Sequence, residues 1–292
     1  MSAAERASAA EPAAPARGGL LRRLRPSRLA AAGFLLAVML VALLAPILPL
    51  ADPTAGNVSE RLLGLGAPGH PLGTDRLGRD ILSRMVWGAR VSLPAGLVPV
   101  LVGSLLGTGL GVVAGLGPHW LRTLVMRFLD IFFAFPALLL AIVIAATFRA
   151  GLLIVLIAIT VIVVPPVARV AETETIRVRH SEFVVVARAS GATWPTVALR
   201  HVLRNVGPAV IVYSTSLVGL AIVYSAGLSF LGLGVAPPTA DWGGMVNELR
   251  GLVFRAPALA LLPAVPIFAV SIAFTVLGNG LRDALSVESE VR

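Results

Sequence analysis

The sequence predicts an all-α polytopic membrane protein with six transmembrane helices, and three observations carry that prediction. The 292 residues are 57% hydrophobic and 13% charged, with a mean hydropathy of +0.90. Soluble domains hold about 25% charged residues, so a chain this apolar cannot clothe itself against water and needs lipid as part of its solvent. The apolar residues also gather in six long runs free of charge. Finally, all 24 basic residues are arginine, and they divide two to one between alternate connections.

A helix needs about 20 apolar residues to cross the hydrocarbon core. Residues 29–50 form the first such run, closing on Pro46 and Pro49. It is too long and too far from the start for the apolar region of a signal peptide. The second span is 91–121 and the third 131–148. Arg149, Ala150 and Gly151 then make a very short turn into the fourth, 152–168. Beyond a polar stretch lie the fifth, 206–230, and the sixth, 256–281. With the N-terminus inside, the cytoplasmic connections hold 16 arginines and the outer ones 8. The positive-inside rule reads this as both termini cytoplasmic in a multi-pass membrane protein. The chain therefore divides into a disordered Ala-, Pro- and Arg-rich tail (1–27), a first span with an extracytoplasmic loop (28–90), a core (91–285) and a short cytoplasmic tail (286–292). The arginines of the first tail sit beside membrane lipid and suit anionic headgroups.

Composition excludes several functions. Without cysteine there are no disulfides, thiolate nucleophiles or Cys-based metal sites. Without lysine there is no Walker A loop and no Schiff base. The arginine excess follows from orientation, and no basic patch is interleaved with aromatics, so nucleic acid is not a partner. His70, His119, His180 and His201 fall in or beside connections, none at metal-ligand spacing, so neither a catalytic nor a metal site is expected. A secondary transporter is the rival outside this class. It carries charged coupling residues at the bilayer midplane, and these spans have none.

Two segments stand out. Gly103, Gly107, Gly111 and Gly115 fall four apart and so share one helix stripe. That stripe is either a close crossing inside a translocation unit or ordinary intramembrane packing, and on both readings the helix is central. The longest cytoplasmic connection, 170–206, contains Glu182, Phe183, Val184, Val185, Val186, Ala187, Arg188, Ala189, Ser190 and Gly191. Gly191 suits the left-handed position that ends a helix, and Thr193 with Pro195 suits the start of another. The result is a helix–Gly–helix knob whose apolar residues need a cover, which marks a partner site. On the outer side, residues 73–84 form a turn and a helix capped by Thr74 or Asp75. Asp75, Arg76, Arg79, Asp80 and Arg84 are spaced there for pairing, either as a self-contained loop or as a contact for a binding protein. Arg127 and Asp130 are expected to form an ion pair.

The 182–204 segment resembles the EAA loop of type I ABC importer permeases. Ala187 and Gly191 match, while Val185, Val186 and Arg204 stand at the remaining motif positions. His70-Pro71-Leu72-Gly73-Thr74-Asp75, Phe135-Pro136-Ala137-Leu138-Leu139 and Ser229-Phe230-Leu231-Gly232-Leu233-Gly234, with Trp242-Gly243, resemble the C-type permeases of dipeptide and oligopeptide importers. That family includes nickel permeases, so the resemblance leaves peptide, nickel or another small solute open. It implies a type I ABC importer permease fold with residues 182–191 as a coupling helix. It also implies a second homologous permease, two ATPase subunits that bind the ATP and Mg, and an extracytoplasmic substrate-binding protein. No cofactor is expected in this chain.

Overall fold

The computed structural model describes residues 26–148 and 150–290. The tail expected at 1–27 lies outside them apart from Pro26 and Ser27, which are already helical. Arg149 of the expected short turn and the last two residues also lie outside. Among the described residues there is no β-strand.

Helix α1 (Pro26–Leu44) runs on through a 3-10 turn, Ala45–Ile47, where the chain meets its prolines. After an irregular stretch, α2 (Ile81–Leu116) begins ten residues before the expected span. Its cap is neither Thr74 nor Asp75 but Asp80, whose carboxylate accepts the Ser83 N–H at 2.7 Å. At 36 residues it is about 54 Å long and overreaches the hydrocarbon core.

The third span is not a single helix. Helix α3 (His119–Phe133) stops at Ala134, and Pro136 opens α4 (Ala137–Thr147) at 85° to it. Eleven residues make about 16 Å of helix, so among the described residues five helices are long enough to span, or up to six if the bent pair counts as one span. Helix α5 (Leu152–Arg179) continues eleven residues past its expected end. The connection expected at 170–206 is therefore largely helix, with α6 (Glu182–Ala189) as its only separate element. The second half of the expected knob is not independent either. Helix α7 (Trp194–Thr196), a π-helical stretch (Val197–Val202) and α8 (Leu203–Phe230) join into one helical rod of 37 residues. Helix α9 (Trp242–Leu249), α10 (Pro257–Leu261) and α11 (Ala264–Glu290) complete the chain, with α11 carrying helix into the expected C-terminal tail.

Packing centres on α2, α5 and α8, with α11 against α8, α1 against α11, and α4 against α5. Prolines sit inside α2 (Pro94, Pro99), α5 (Pro165, Pro166) and α8 (Pro208), which membrane-spanning helices tolerate. One end of the bundle carries α6. The opposite end carries the 51–80 loop and α9.

Candidate functional site

Helix α6 is short because both its ends are specified. Ser181 breaks from α5 and Glu182 places a carboxylate in the first turn, on the favourable side of the helix dipole. At the other end Gly191 adopts φ +84°. Its N–H donates to the Arg188 carbonyl and the Ala192 N–H to the Ala187 carbonyl, both at 3.0 Å, which is a Schellman closure.

The helix lies on its side against the bundle. Val184 is 0% exposed and belongs to the buried cluster with Val178 of α5 and Val197 and Val202 of the π-helical stretch. The sequence reading placed Val184 on the outward surface, but its burial makes it the anchor of α6. Phe183, Val185 and Val186 remain 45%, 57% and 62% exposed, and the Phe183 ring stands 6.2 Å from that of His201. Ala187 is half-buried, while Glu182, Arg188, Ala189, Ser190 and Gly191 are exposed. The outward surface is thus a compact apolar patch edged by one acid and one arginine.

Beneath it, the glycine stripe of α2 meets α5. A Cβ at Gly103 would stand 2.6 Å from Val163 Cγ1, one at Gly107 2.8 Å from the Val164 carbonyl oxygen, one at Gly111 2.5 Å from that of Ala168, and one at Gly115 2.6 Å from Thr175 Cβ. Two backbones approach here more closely than any side chain allows. Arg179 fastens the same corner by donating to the Gly115 carbonyl at 2.9 Å. Asp130 does not pair with Arg127. It accepts from Arg169 of α5, and Arg122 donates to Glu172 at 2.5 Å, so both ion pairs tie α3 to α5.

The opposite end is closed by charges. Asp75 accepts from Arg79 Nε at 2.6 Å and Arg84 Nη1 at 2.5 Å, and both arginines also donate to Glu248 of α9. Two positive and two negative groups balance, and Asp75, Arg79 and Arg84 are buried. Asp75 and Arg79 pair within a turn ahead of α2, not on a helix. Trp242 docks α9 onto α2, its indole N–H donating to the Met85 carbonyl at 2.9 Å and its backbone N–H to Ser92 Oγ at 3.0 Å. Asp241 caps α9 by accepting the Gly244 N–H, and burial pushes its carboxyl above its ordinary pKa.

A groove of about 790 Å³ runs between α2 and α8. It is apolar apart from Ser104, Thr108, Ser214 and Thr215, and the Ser104 and Ser214 hydroxyls bond across it at 2.6 Å. Sequence reasoning missed it. Its signal is a clustering of hydroxyl residues inside two apolar runs, Ser104 and Thr108 in one and Ser214 and Thr215 in the other.

Comparison with known proteins gives a consistent picture. Residues 107–286 match the family described as binding-protein-dependent transport system inner membrane component. The glutathione transport system permease protein GsiD of Pectobacterium atrosepticum is 42% identical over 216 residues, 74% of this chain and 72% of that protein. GsiD of Escherichia coli is 42% identical over the same length, covering 71% of its own chain. A solved structure of the MetNI methionine ABC transporter in an inward-facing conformation superposes with a TM-score of 0.58 at 19% identity. It covers 71% of this chain and 97% of that one, so the fold is shared.

Proposed function

The chain belongs to the family of binding-protein-dependent transport system inner membrane components, and on that premise we propose that it is the membrane-spanning permease subunit of an ATP-driven importer of peptide-like solutes. The 42% identity to glutathione permeases supports a short peptide as the solute, glutathione itself being a tripeptide. ATP and Mg are bound by separate ATPase subunits, and the transported solute is delivered by a substrate-binding protein. A second homologous permease completes the path. Both termini and α6 face the cytoplasm, in keeping with the arginine asymmetry.

The observation that carries the coupling assignment is the shape of α6: an anchored, closed helix offering Phe183, Val185 and Val186 outward. A groove on the ATPase that receives these side chains removes them from water, worth about 1.5–3 kcal/mol for each one fully buried. Because Val184 and the Gly191 closure fix α6 to α5 and the rod of α7–α8, movement of an ATPase passes directly into two spans. Alternation then needs only two arrangements of similar free energy, biased by ATP on one side and by the loaded binding protein on the other.

The test is ATP hydrolysis by the reconstituted complex, with and without loaded binding protein. Val185→Glu and Val186→Glu alter exposed positions, so the permease still assembles. Each places a charge against the partner without a counter-ion. Both variants are expected to lose stimulation. Wild-type stimulation in both would remove α6 from the coupling path.

A further inference from the structure

We propose that α3 lies flat in the membrane surface at the α6 end of the bundle, with its outward stripe seated in the phospholipid of that leaflet. The inference rests on the membrane setting of the family and on no assumption about solute or ATPase.

The geometry comes first. Arg122 and Asp130 are eight residues apart on α3, about 12 Å, yet their partners Glu172 and Arg169 are three apart on α5, about 4.5 Å. Helix α3 therefore lies across α5, not along it, and the 85° bend into α4 returns the chain to the direction of the bundle. The depth follows from α5. Its apolar run ends at Ala168, so both ion pairs mark the level where hydrocarbon gives way to headgroups.

The faces of α3 fit that placement. Met126 and Leu129 are buried in a cluster with Ala114 of α2 and Ala168 of α5, directly over the glycine crossing. At about 100° per residue, the opposite side carries Trp120, Leu124, Phe128 and Ile131, which are 66%, 59%, 57% and 57% exposed. Between these two faces the flanks differ in kind. One holds Thr123, Arg127 and Asp130. The other holds Leu121, Val125 and Phe132, all half-buried, with Val125 packed partly against the same buried cluster. A helix in the plane of the membrane needs this asymmetry, with a polar flank toward water and an apolar flank toward the acyl chains. Arg127 on the polar flank stands where a lipid phosphate would meet it. Phe135, Leu139 and Val143 continue the exposed apolar surface past the bend into α4, so the stripe joins a surface already set for lipid.

The experiment uses the whole importer complex in vesicles of phosphatidylethanolamine and phosphatidylglycerol. The chain has no native cysteine, so Thr123→Cys, Leu124→Cys, Arg127→Cys and Phe128→Cys can each carry a single nitroxide. Collision with oxygen, which concentrates in lipid, is compared with collision with a water-soluble nickel chelate. The oxygen-to-nickel ratio should be severalfold higher at 124 and 128 than at 123 and 127. Labels at 124 and 128 shielded from both reagents would mean that protein, either the second permease or another copy, covers the stripe. Equal access of the nickel chelate to all four would put the helix in water. Either result overturns the proposal. Solute-stimulated ATP hydrolysis, read on the same vesicles, reports separately on the transport function.

Discussion

At Gly191 the obstacle to a side chain is conformational, because a Cβ there meets nothing within 4 Å while φ stands at +84°. Asparagine visits this region readily, and β-branched residues resist it at about 1–2 kcal/mol. Gly191→Asn should therefore keep most of the solute-stimulated ATP hydrolysis, and Gly191→Val should lose it and lower the melting temperature. A steric role would make the two variants alike. Asp241 poses a different question. Burial raises its carboxyl pKa in the folded chain, so the folded state binds the proton more tightly than the unfolded one. The stability this contributes is full below the unfolded value, near 3.9, and is lost as pH rises through the folded value. Asparagine is as good a helix cap and does not ionise. Asp241→Asn should melt at or above wild type at neutral pH, with the difference shrinking as pH falls through about 4. A wild type more stable than the variant at neutral pH would contradict this sign.

Among the elements, the crossing of α2 and α5 makes the sharpest demand. Gly111→Ala drives a methyl to 2.5 Å from the Ala168 carbonyl oxygen, an overpacking that costs about 1–3 kcal/mol. Gly109 lines the groove beside α8 and meets nothing within 4 Å, so Gly109→Ala should be neutral or gain up to about 1 kcal/mol of helix propensity. Thermal unfolding in detergent separates the two, and equal effects would leave the stripe without a special role. The stripe was legible in the sequence because its four-residue spacing is a helical period. Its partner was not, since nothing in 152–168 marks the facing residues. The apolar runs likewise revealed that spans exist, but not the bend at Ala134, because hydropathy is blind to direction. Charge pairs misled for a related reason. Arg127 and Asp130 are neighbours in sequence, while Asp130 finds Arg169 only after α3 has turned across α5. Val184 looked like its neighbours in composition, and only the docking of α6 decides which of four consecutive apolar side chains faces inward.

For the molecule as a whole, orientation is the first property to establish. Ser190→Cys sits on the exposed end of α6, and in intact cells an impermeant thiol reagent added from outside should leave it unlabelled until the membrane is opened. Labelling from outside would invert the topology and with it the assignment of α6. A second property follows from the continuous rod of α7 and α8, which runs 37 residues from Trp194 to Phe230. Its tightest contacts lie in its second half, between Ser216, whose Oγ a Cβ at Gly278 would meet at 2.2 Å, and Ala226, whose carbonyl oxygen a Cβ at Gly243 would meet at 2.3 Å. A Cβ at Gly219 would meet the Ser271 carbonyl oxygen of α11 at 2.6 Å, and one at Gly96 of α2 would meet Ile222 Cγ1 at 2.2 Å. A rod gripped from Ser216 to Ala226 keeps a free arm of roughly 33 Å toward α6 and only about 6 Å toward the far end. It behaves as a post clamped at one end: a sideways push at Trp194 reaches the clamp as a torque, multiplied by the length of the free arm and carried into α2, α9 and α11 together.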